Sequence, residues 1–349
     1  MSTGATGRRP AVGDSEITPE RPGEFELIAN LFAPLARGFP GACGLEDDVA
    51  YLALTDGLIQ AGEELVLKTD AIVSGVHFLA DDPGDLVARK LLRVNLSDLA
   101  AKGARPLVYM LAAMLPASLE YDWLQRFAQG LKADQDEFGI VLAGGDTDAT
   151  PGPLALSLSV IGAIPAGQRL LRSAAKVGDA VFVSGTIGDG ALGLAAIQGQ
   201  LTGLPRSDSD FLADRYRLPR PRLALGKRLR GLVHATMDIS DGLVGDLGHI
   251  CDASHVGATI EIGRVPLSNA ARAAISIAPS WIETVIGGGD DYELLFTAPP
   301  AYEDALTSLG STIGVPVTRI GGIDSTRTVR VIGPDDREIV PTTTGYRHF

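Results

Sequence analysis

The chain has 349 residues, of which 45% are hydrophobic and 21% are charged. This balance supplies enough apolar side chains for a core and excludes a chain that is disordered throughout. Asp and Glu number 43 against 30 Lys and Arg, so the net charge is −13. Because like charges repel, a surface this acidic disfavours binding to nucleic acid and to anionic membranes.

The cysteine count and the length of the apolar runs limit the cellular setting. Two cysteines are too few for a disulfide framework or for a cysteine-rich zinc site. The longest apolar runs, such as residues 107–115, are far shorter than the roughly 20 residues of a membrane-spanning helix. We therefore predict a cytoplasmic protein that binds neither membranes nor nucleic acid.

The N-terminal half begins with a polar segment, residues 1–22, whose lack of periodicity predicts a disordered tail. Apolar residues at helical spacing predict a short helix over 25–32 that ends at Pro34. Asp85 predicts the N-cap of a helix that runs to Ala101. The other elements predicted here are a helix over 121–138 and strands over 49–54, 64–69, 107–115, 140–143 and 156–164.

A segment rich in proline and glycine, residues 165–179, predicts a boundary between domains at 23–165 and 166–349. The second domain is predicted to contain helices over 190–198, 242–253, 267–277 and 302–309, with further helices between about residue 210 and the strand at 235. The predicted strands lie over 180–184, 235–239, 258–262, 292–297, 317–320 and 328–332. Some of these strands follow each other directly and others are separated by helices. This order favours the α+β class with mixed sheets over a purely parallel sheet.

Carboxylates at strand ends or in glycine turns are the most informative chemical feature. They occur at Asp47 and Asp48, at Asp70, at Asp98, at Asp146, at Asp238 with Asp241, and at Asp290 with Asp291. Any single aspartate of this kind is usually a turn or cap residue. Gathered in one place, however, such carboxylates repel one another unless divalent cations lie between them. Since magnesium is held by a few carboxylates together with substrate phosphates, the set predicts a metal–nucleotide site.

Other phosphate-binding motifs are absent or incomplete. The sequence contains no Gly-x-x-x-x-Gly-Lys-Ser/Thr loop. Residues 188–193 match Gly-x-Gly-x-x-Gly after a predicted strand, which is the form of a dinucleotide-binding turn. The polar residues 200–230 that follow do not predict the second strand that such a unit needs. A tight strand–helix turn is therefore the favoured interpretation.

Seven segments, taken in chain order, carry a stronger signal than any single motif. They are Thr69-Asp70 with Gly75-Val76-His77-Phe78, residues 94–104, Gly144-Gly145-Asp146-Thr147, Leu171-Arg172-Ser173, residues 238–243, residues 288–294 and residues 345–349. In content and order these segments resemble the thiamine-monophosphate kinase family. That family belongs to the superfamily of aminoimidazole ribonucleotide synthetase, and the resemblance covers residues 24–349.

The resemblance implies a fold, a reaction and a set of partners. The fold is the two-domain α+β architecture of the superfamily, with an N-terminal domain that binds ATP and metal and forms a barrel across the axis of a homodimer. The reaction is ATP-dependent phosphorylation of thiamine monophosphate to thiamine diphosphate on several magnesium ions. No catalytic side chain is implied, since positioning and metal ions suffice for direct in-line phosphoryl transfer.

The resemblance also assigns residues, position by position. The implied magnesium ligands are Asp48, Asp70, Asp98, Asp146, Asp238 and Asp241. The implied nucleotide contacts are Thr69, Gly145, Arg172 and Ser240, and the implied substrate contacts are His77 and Asp290.

The chain departs from the family pattern at four positions. Glu46 replaces a glycine, and Lys68 replaces a serine or threonine whose metal contact a backbone carbonyl can still supply. Asp290 replaces a glutamate and keeps the charge on a shorter side chain. An aromatic residue expected near Thr343 is missing. These departures affect the acceptor site more than the metal site.

Two alternatives stay open at this stage. One is a different ATP-using activity of the superfamily, such as a purine-pathway synthetase, a selenophosphate synthetase or a hydrogenase maturation protein. A selenophosphate synthetase uses a reactive cysteine with a lysine close behind, whereas Cys43 is followed by Gly44 and Leu45. The other alternative is a catalytically inactive module that binds metal or nucleotide.

Overall fold

The computed structural model describes residues 23–45, 50, 52 and 57–346. The predicted tail and the predicted metal ligand Asp48 lie outside these residues, as does most of the strand predicted over 49–54.

The described chain alternates helices and strands, as the sequence predicts. The helices are α1 (Glu24–Leu27), α2 (Gly84–Ala101), α3 (Tyr121–Phe138), α4 (Asp189–Ile197), α5 (Arg206–Arg217), α6 (Leu223–Leu229), α7 (Leu243–Ser254), α8 (Asn269–Ile277), α9 (Trp281–Gly287) and α10 (Glu303–Ile313). The strands are β1 (Glu63–Val73), β2 (Arg105–Pro116), β3 (Val141–Thr150), β4 (Ala155–Pro165), β5 (Ala180–Ser184), β6 (Ala235–Asp238), β7 (Gly257–Glu261), β8 (Leu294–Ala298), β9 (Val317–Asp324), β10 (Val329–Ile332) and β11 (Glu338–Ile339). The predictions for α3 and β5 are confirmed residue for residue, whereas α9 and β11 were not predicted.

Two local predictions near the start of the chain need correction. The predicted helix over 25–32 is divided, because α1 continues as a π-helix over Ile28–Phe32 and then as a 3-10 helix over Ala33–Ala36. Asp85 is not the N-cap of α2: that position is occupied by Pro83, and no side chain caps it. The Asp85 carboxylate instead accepts a hydrogen bond from Arg126 on α3, with an N–O distance of 2.7 Å. Its charge still lies in the first helical turn, where it interacts favourably with the helix dipole.

The first sheet has four strands in the order β1-β4-β2-β3. β4 pairs antiparallel with both β1 and β2, whereas β2 and β3 are parallel. Side chains of β1 alternate between exposed and half-buried, since one face of the sheet packs against α2 and the other faces solvent. Because side chains alternate between the two faces of a strand, Lys68 and Asp70 lie on the same face of the sheet.

The second sheet has seven strands in the order β11-β10-β7-β9-β5-β8-β6. β10 and β7 are parallel, while the remaining neighbouring pairs are antiparallel. The predicted α+β class with mixed sheets is therefore confirmed.

Helix α2 connects the two sheets. It packs against α3 and β1 of the first unit and against α6 and β6 of the second. Close approach to α6 depends on Gly226, because a Cβ atom there would lie 1.9 Å from the carbonyl oxygen of Ala100. Just beyond the end of α2, the Lys102 ammonium donates a hydrogen bond to the carbonyl oxygen of Thr236 on β6, at 2.9 Å. The edge of the first sheet and the edge of the second are thus held next to each other.

We predict that Gly226→Ala destabilises the protein even though alanine favours helices. The new methyl group would overlap the Ala100 carbonyl oxygen, and forced overpacking costs about 1–3 kcal/mol. Gly248→Ala on α7 is the matched control, because no heavy atom lies within 4 Å of its Cβ position. That variant should gain up to about 1 kcal/mol from helix propensity. Urea unfolding of the two variants measures the difference, and equal stabilities would contradict the close contact.

Candidate active site

A cavity of about 690 Å³ lies between the two sheets and collects most of the predicted site residues. One wall comes from β1 and α2, and the other comes from the loop after β6 and the segment after α9. Six predicted metal and nucleotide residues line it, five from these walls and Arg172 from the segment 165–179: Asp70, Asp98, Arg172, Asp238, Ser240 and Asp241. His77 and Asp290 line the same cavity. Eight of the twelve predicted site residues, from the metal, nucleotide and acceptor sets, are therefore brought together in one cavity.

Lys68, Asp70 and Asp98 form the charged centre of the first wall. The Lys68 ammonium lies 3.1 Å from an oxygen of Asp70 and 3.0 Å from an oxygen of Asp98. Burial lowers the pKa of Lys68, but the two carboxylates outweigh that effect and the pKa is raised. Burial raises the pKa of Asp98, and Lys68 opposes this shift. The ammonium group is thus a counter-charge to both carboxylates.

Asp238 faces this pair from the C-terminal end of β6. Its side chain is buried, and burial together with the nearby Asp98 raises its pKa to about 6. The carboxylates of Asp238 and Asp98 therefore repel each other across the cavity. Lys102 lies beside them. Its pKa is lowered to about 8, mainly by burial and to a smaller extent by repulsion from Arg172.

The donors in this cluster fit a magnesium ion. Carboxylate oxygens are hard ligands of the kind that magnesium prefers, and the mutual repulsion of Asp98 and Asp238 is what a divalent cation relieves. Asp70, Asp98 and Asp238 are the residues that would hold such an ion.

The loop after β6 is shaped by the buried carboxylate of Asp246. One of its oxygens accepts hydrogen bonds from the backbone N–H groups of Ser240, Asp241 and Gly242, at 3.0, 3.0 and 3.1 Å. Burial raises the pKa of Asp246 to about 7. By gathering three amides, Asp246 fixes the loop that presents Ser240 and Asp241 to the cavity.

A second group of possible metal ligands continues from this loop. Ligand atoms of Asp241, Asp246 and His249 all lie within 4.8 Å of one another. Asp246 and His249 were not predicted from the sequence, although their spacing of three residues on α7 places both on one helix face.

The glycines before Asp290 permit a very close chain crossing. A Cβ atom at Gly289 would lie 2.0 Å from the carbonyl oxygen of Ser240, and one at Gly242 would lie 2.7 Å from that of Gly287. Larger residues at these positions would separate the segment from the loop after β6. The run of three glycines thus brings Asp290 and Asp241 to one cavity.

The Gly-x-Gly-x-x-Gly turn at residues 188–193 is occupied by the protein itself. The buried Asp291 carboxylate accepts hydrogen bonds from the N–H groups of Gly188 and Gly190, at 2.7 and 3.0 Å. These are the amides with which a dinucleotide-binding turn would bind pyrophosphate. The interpretation as a tight strand–helix turn is therefore supported over a dinucleotide site.

Glu293, for which the sequence predicted no role, is the centre of a buried ionic cluster. Arg215 donates to it at 2.9 Å, Arg222 donates to both of its oxygens, and the Ser184 hydroxyl donates at 2.6 Å. The Glu293 side chain has no exposed surface. Since Glu293 closely follows the glycine segment, this cluster anchors the second wall of the cavity. Its sequence signal was the Tyr-Glu-Leu that follows Asp290-Asp291.

The predicted acceptor residues lie at the side of the cavity that Tyr216 lines. The Nδ1 atom of His77 accepts a hydrogen bond from the backbone N–H of Val73 at 3.0 Å. The Asp290 carboxylate lies 3.0 Å from the buried ammonium of Lys90, which in turn lies 3.6 Å from the centre of the Tyr216 ring. Lys90 and Tyr216 were not predicted, and both come close to Asp290 only through the packing of α2 against α5.

Three predicted residues lie elsewhere. Gly145 and Asp146 on β3 line a separate, smaller cavity of about 110 Å³ next to the N-terminal helical segment. In the sheet register, Gly145 lies opposite Leu111, Leu111 opposite Leu158, and Leu158 opposite Asp70. Three strand spacings, or about 14 Å, therefore separate Gly145 from Asp70. The hydroxyl of Thr69 is hydrogen-bonded to that of Ser159 at 2.6 Å and does not line the large cavity.

Comparisons with known proteins place this architecture in a class. The family model of the AIR synthase related protein N-terminal domain matches residues 46–164, and the model of its C-terminal domain matches residues 176–333. The two domains are thus those of AIR synthase related proteins.

Three relatives narrow the class. The thiamine-monophosphate kinase of Caulobacter vibrioides is 41% identical over 331 residues, which are 94% of this chain and 91% of the relative. The crystal structure of thiamine-monophosphate kinase from Stenotrophomonas maltophilia K279a has a TM-score of 0.75 at 41% identity, covering 82% of this chain and 89% of that one. The structure of AaThiL complexed with AMPPCP and TMP has a TM-score of 0.74 at 30% identity, covering 87% of this chain and 91% of that one. The chain belongs to the thiamine-monophosphate kinase family.

We predict that Glu293→Gln destabilises the fold by about 3–5 kcal/mol, because it removes the counter-charge of the buried Arg222 guanidinium and leaves Arg215 with only the more distant Asp189 among the described ion pairs. Glu303→Gln is the matched control. Glu303 pairs with Arg319 at a half-buried site, where loss of an ion pair costs at most about 1 kcal/mol. Chemical denaturation compares the variants, and a loss at Glu293 no larger than that at Glu303 would argue against the anchoring role.

Proposed function

We propose that this protein transfers the γ-phosphoryl group of ATP to the phosphate of thiamine monophosphate, and so forms thiamine diphosphate and ADP. The observation that carries the proposal is the convergence of Asp70, Asp98 and Asp238 in one cavity with Arg172. The cavity volume lies within the range of small-molecule sites. The match of this chain to family members, one of which is complexed with AMPPCP and TMP, supports this pair of substrates.

The proposed site residues follow the sequence predictions. Asp70, Asp98, Asp238 and Asp241 would hold magnesium ions, which neutralise phosphate charge and hold the two substrates in line. Arg172 and Ser240 would contact the nucleotide, and the fork of Arg172 suits phosphate oxygens. The roles proposed for Asp48, Thr69, Gly145 and Asp146 rest on the resemblance alone.

The acceptor phosphate would act directly as the nucleophile. It is already anionic near neutral pH and needs no general base. His77 lines the proposed acceptor region, and its Nδ1 atom accepts a hydrogen bond from the Val73 N–H. Burial raises the pKa of the Cys251 thiol to about 12, which excludes a reactive thiolate at that position. These features favour in-line transfer without a phosphoenzyme.

We further propose that two copies of the chain associate. The solvent-facing side of the first sheet carries large apolar side chains, Leu65, Leu67 and Met110, of which Leu67 is 73% exposed. Apolar residues clustered on one sheet face are typical of an interaction surface. A homodimer that closes the two sheets into a barrel would cover this face.

The proposed domain division places residues 23–165 in the nucleotide, metal and dimerisation domain and residues 166–349 in the C-terminal domain. It is supported by the sheets, since the first ends with Pro165 and the second begins with Ala180. Among the described residues, no helix has the length and apolar character needed to cross a bilayer. The substrate ATP fits the proposed cytoplasmic location.

We predict that Asp98→Asn and Asp238→Asn each lower turnover by about 100-fold or more, because each removes charge that would hold magnesium against the phosphates. Steady-state ADP release with ATP and thiamine monophosphate measures the loss, and circular dichroism checks folding. Asp304→Asn, at the start of α10 and outside the cavity, should keep normal turnover. Normal turnover in both cavity variants at millimolar magnesium would contradict the assignment.

We predict that the enzyme uses thiamine monophosphate strongly in preference to free thiamine, because the acceptor phosphate is itself the nucleophile, whereas an alcohol acceptor would need a general base, for which His77 is the only plausible candidate among the described residues near the site. Incubation with γ-labelled ATP in the absence of acceptor should leave no label on the protein. Label on His77 that passes into thiamine diphosphate would overturn direct transfer. Comparable kcat/KM for the two acceptors would contradict the proposed role of the acceptor phosphate.

A further inference from the structure

Lys68 occupies an unusual place in the carboxylate cluster. It lies on β1 two residues before Asp70, so both side chains project from the same side of the strand. The Lys68 ammonium nitrogen lies 3.1 Å from an oxygen of Asp70. It lies 3.0 Å from an oxygen of Asp98, which is on α2. The Lys68 side chain keeps 32% of its surface exposed, which leaves its end a route to solvent.

The ammonium and a divalent ion cannot share this position. A magnesium ion binds carboxylate oxygens at about 2.0–2.1 Å and requires near-octahedral geometry around itself. The Lys68 nitrogen already lies within hydrogen-bond distance of one oxygen from each carboxylate. An ion bridging those oxygens would therefore lie against the nitrogen, and two cations at that separation repel strongly.

We propose that Lys68 is a resident counter-ion that takes the place of a divalent cation between Asp70 and Asp98 until a metal ion displaces it. This inference rests on the proposed function, because it concerns the same metal site. The flexible stem of lysine allows the displaced ammonium to swing towards solvent. Free enzyme would then hold fewer divalent ions than its carboxylates could bind.

The positions of the other cations support this assignment over a role in binding phosphate. The Lys68 ammonium is directed at two carboxylates, whereas Arg172 lines the cavity with no carboxylate paired to it among the described ion pairs. Lys102 lies next to Asp98 and Asp238 and donates to the carbonyl oxygen of Thr236. Of these three cations, only Lys68 has its charged group between Asp70 and Asp98.

The test is direct titration of nucleotide-free protein with manganese(II), in which electron paramagnetic resonance measures the free ion. Lys68→Met removes the charge while keeping an unbranched side chain. We expect this variant to bind one additional manganese ion per chain, or to bind one ion about tenfold or more tightly than wild type, since a competing charge is lost. Lys68→Arg, which keeps the charge, should titrate like wild type.

Two further variants localise the effect. Lys132→Met is the matched control, because Lys132 lies on the surface of α3 and pairs there with Asp136. It should titrate like wild type. Adding Asp70→Asn to Lys68→Met should abolish the gain, because the gained ion would lose a ligand.

Identical manganese titrations of wild type and Lys68→Met would overturn the proposal. Unchanged titrations together with weaker nucleotide binding in Lys68→Met would also overturn it, by making Lys68 a phosphate ligand. Failure of the proposed kinase activity would be recognised separately, as absence of turnover in wild type, because the titration uses neither ATP nor an acceptor.

Discussion

The repulsion among carboxylates gathered at one cavity is the constraint on which the site depends. Asp98 lies on α2 and Asp238 at the end of β6, and the two face each other in surroundings that raise the pKa of both. Such an arrangement persists only where cations compensate it. Lys68 supplies compensation from the same strand that carries Asp70, and Lys102 supplies it from the end of α2. Helix α2 thus carries Asp98, a charged residue of the site, and also packs against strands of both sheets.

Buried carboxylate side chains stabilise the second wall of the cavity through hydrogen bonds and ion pairs. Asp246 gathers three backbone amides, Asp291 occupies the amides at the start of α4, and Glu293 binds two guanidinium groups. Each of these carboxylates is buried, and each accepts at least two hydrogen bonds from groups inside the protein. Because unpaired buried charge is costly, these contacts fix the loop conformations. The acidic residues around the cavity therefore form two groups. One group faces the cavity, and the other fixes the loops that form its wall.

This division explains why many acids in a chain do not all become ligands. Asp290 and Asp291 are neighbours in sequence, yet Asp290 lines the cavity next to Lys90 while Asp291 points inward to Gly188 and Gly190. The glycines before them allow the close crossing with Ser240 that sets this orientation. A phosphate-binding motif can likewise be filled by the protein, as the turn at residues 188–193 is.

The sequence by itself determined the elements whose signals are local. The periodicity of residues 121–138 and the apolar run of residues 180–184 fixed α3 and β5, and the ordered motifs pointed to the family. Proximity across the fold was decided by tertiary structure. Asp85 pairs with Arg126 rather than capping α2, and Asp146 lies three strands away from Asp70 although both match one ligand set. The contacts of Glu293 with Arg215 and Arg222, and of Lys68 with Asp98, join residues far apart in the chain. Pairing at such separations depends on how helices and sheets pack, and local sequence patterns do not encode it.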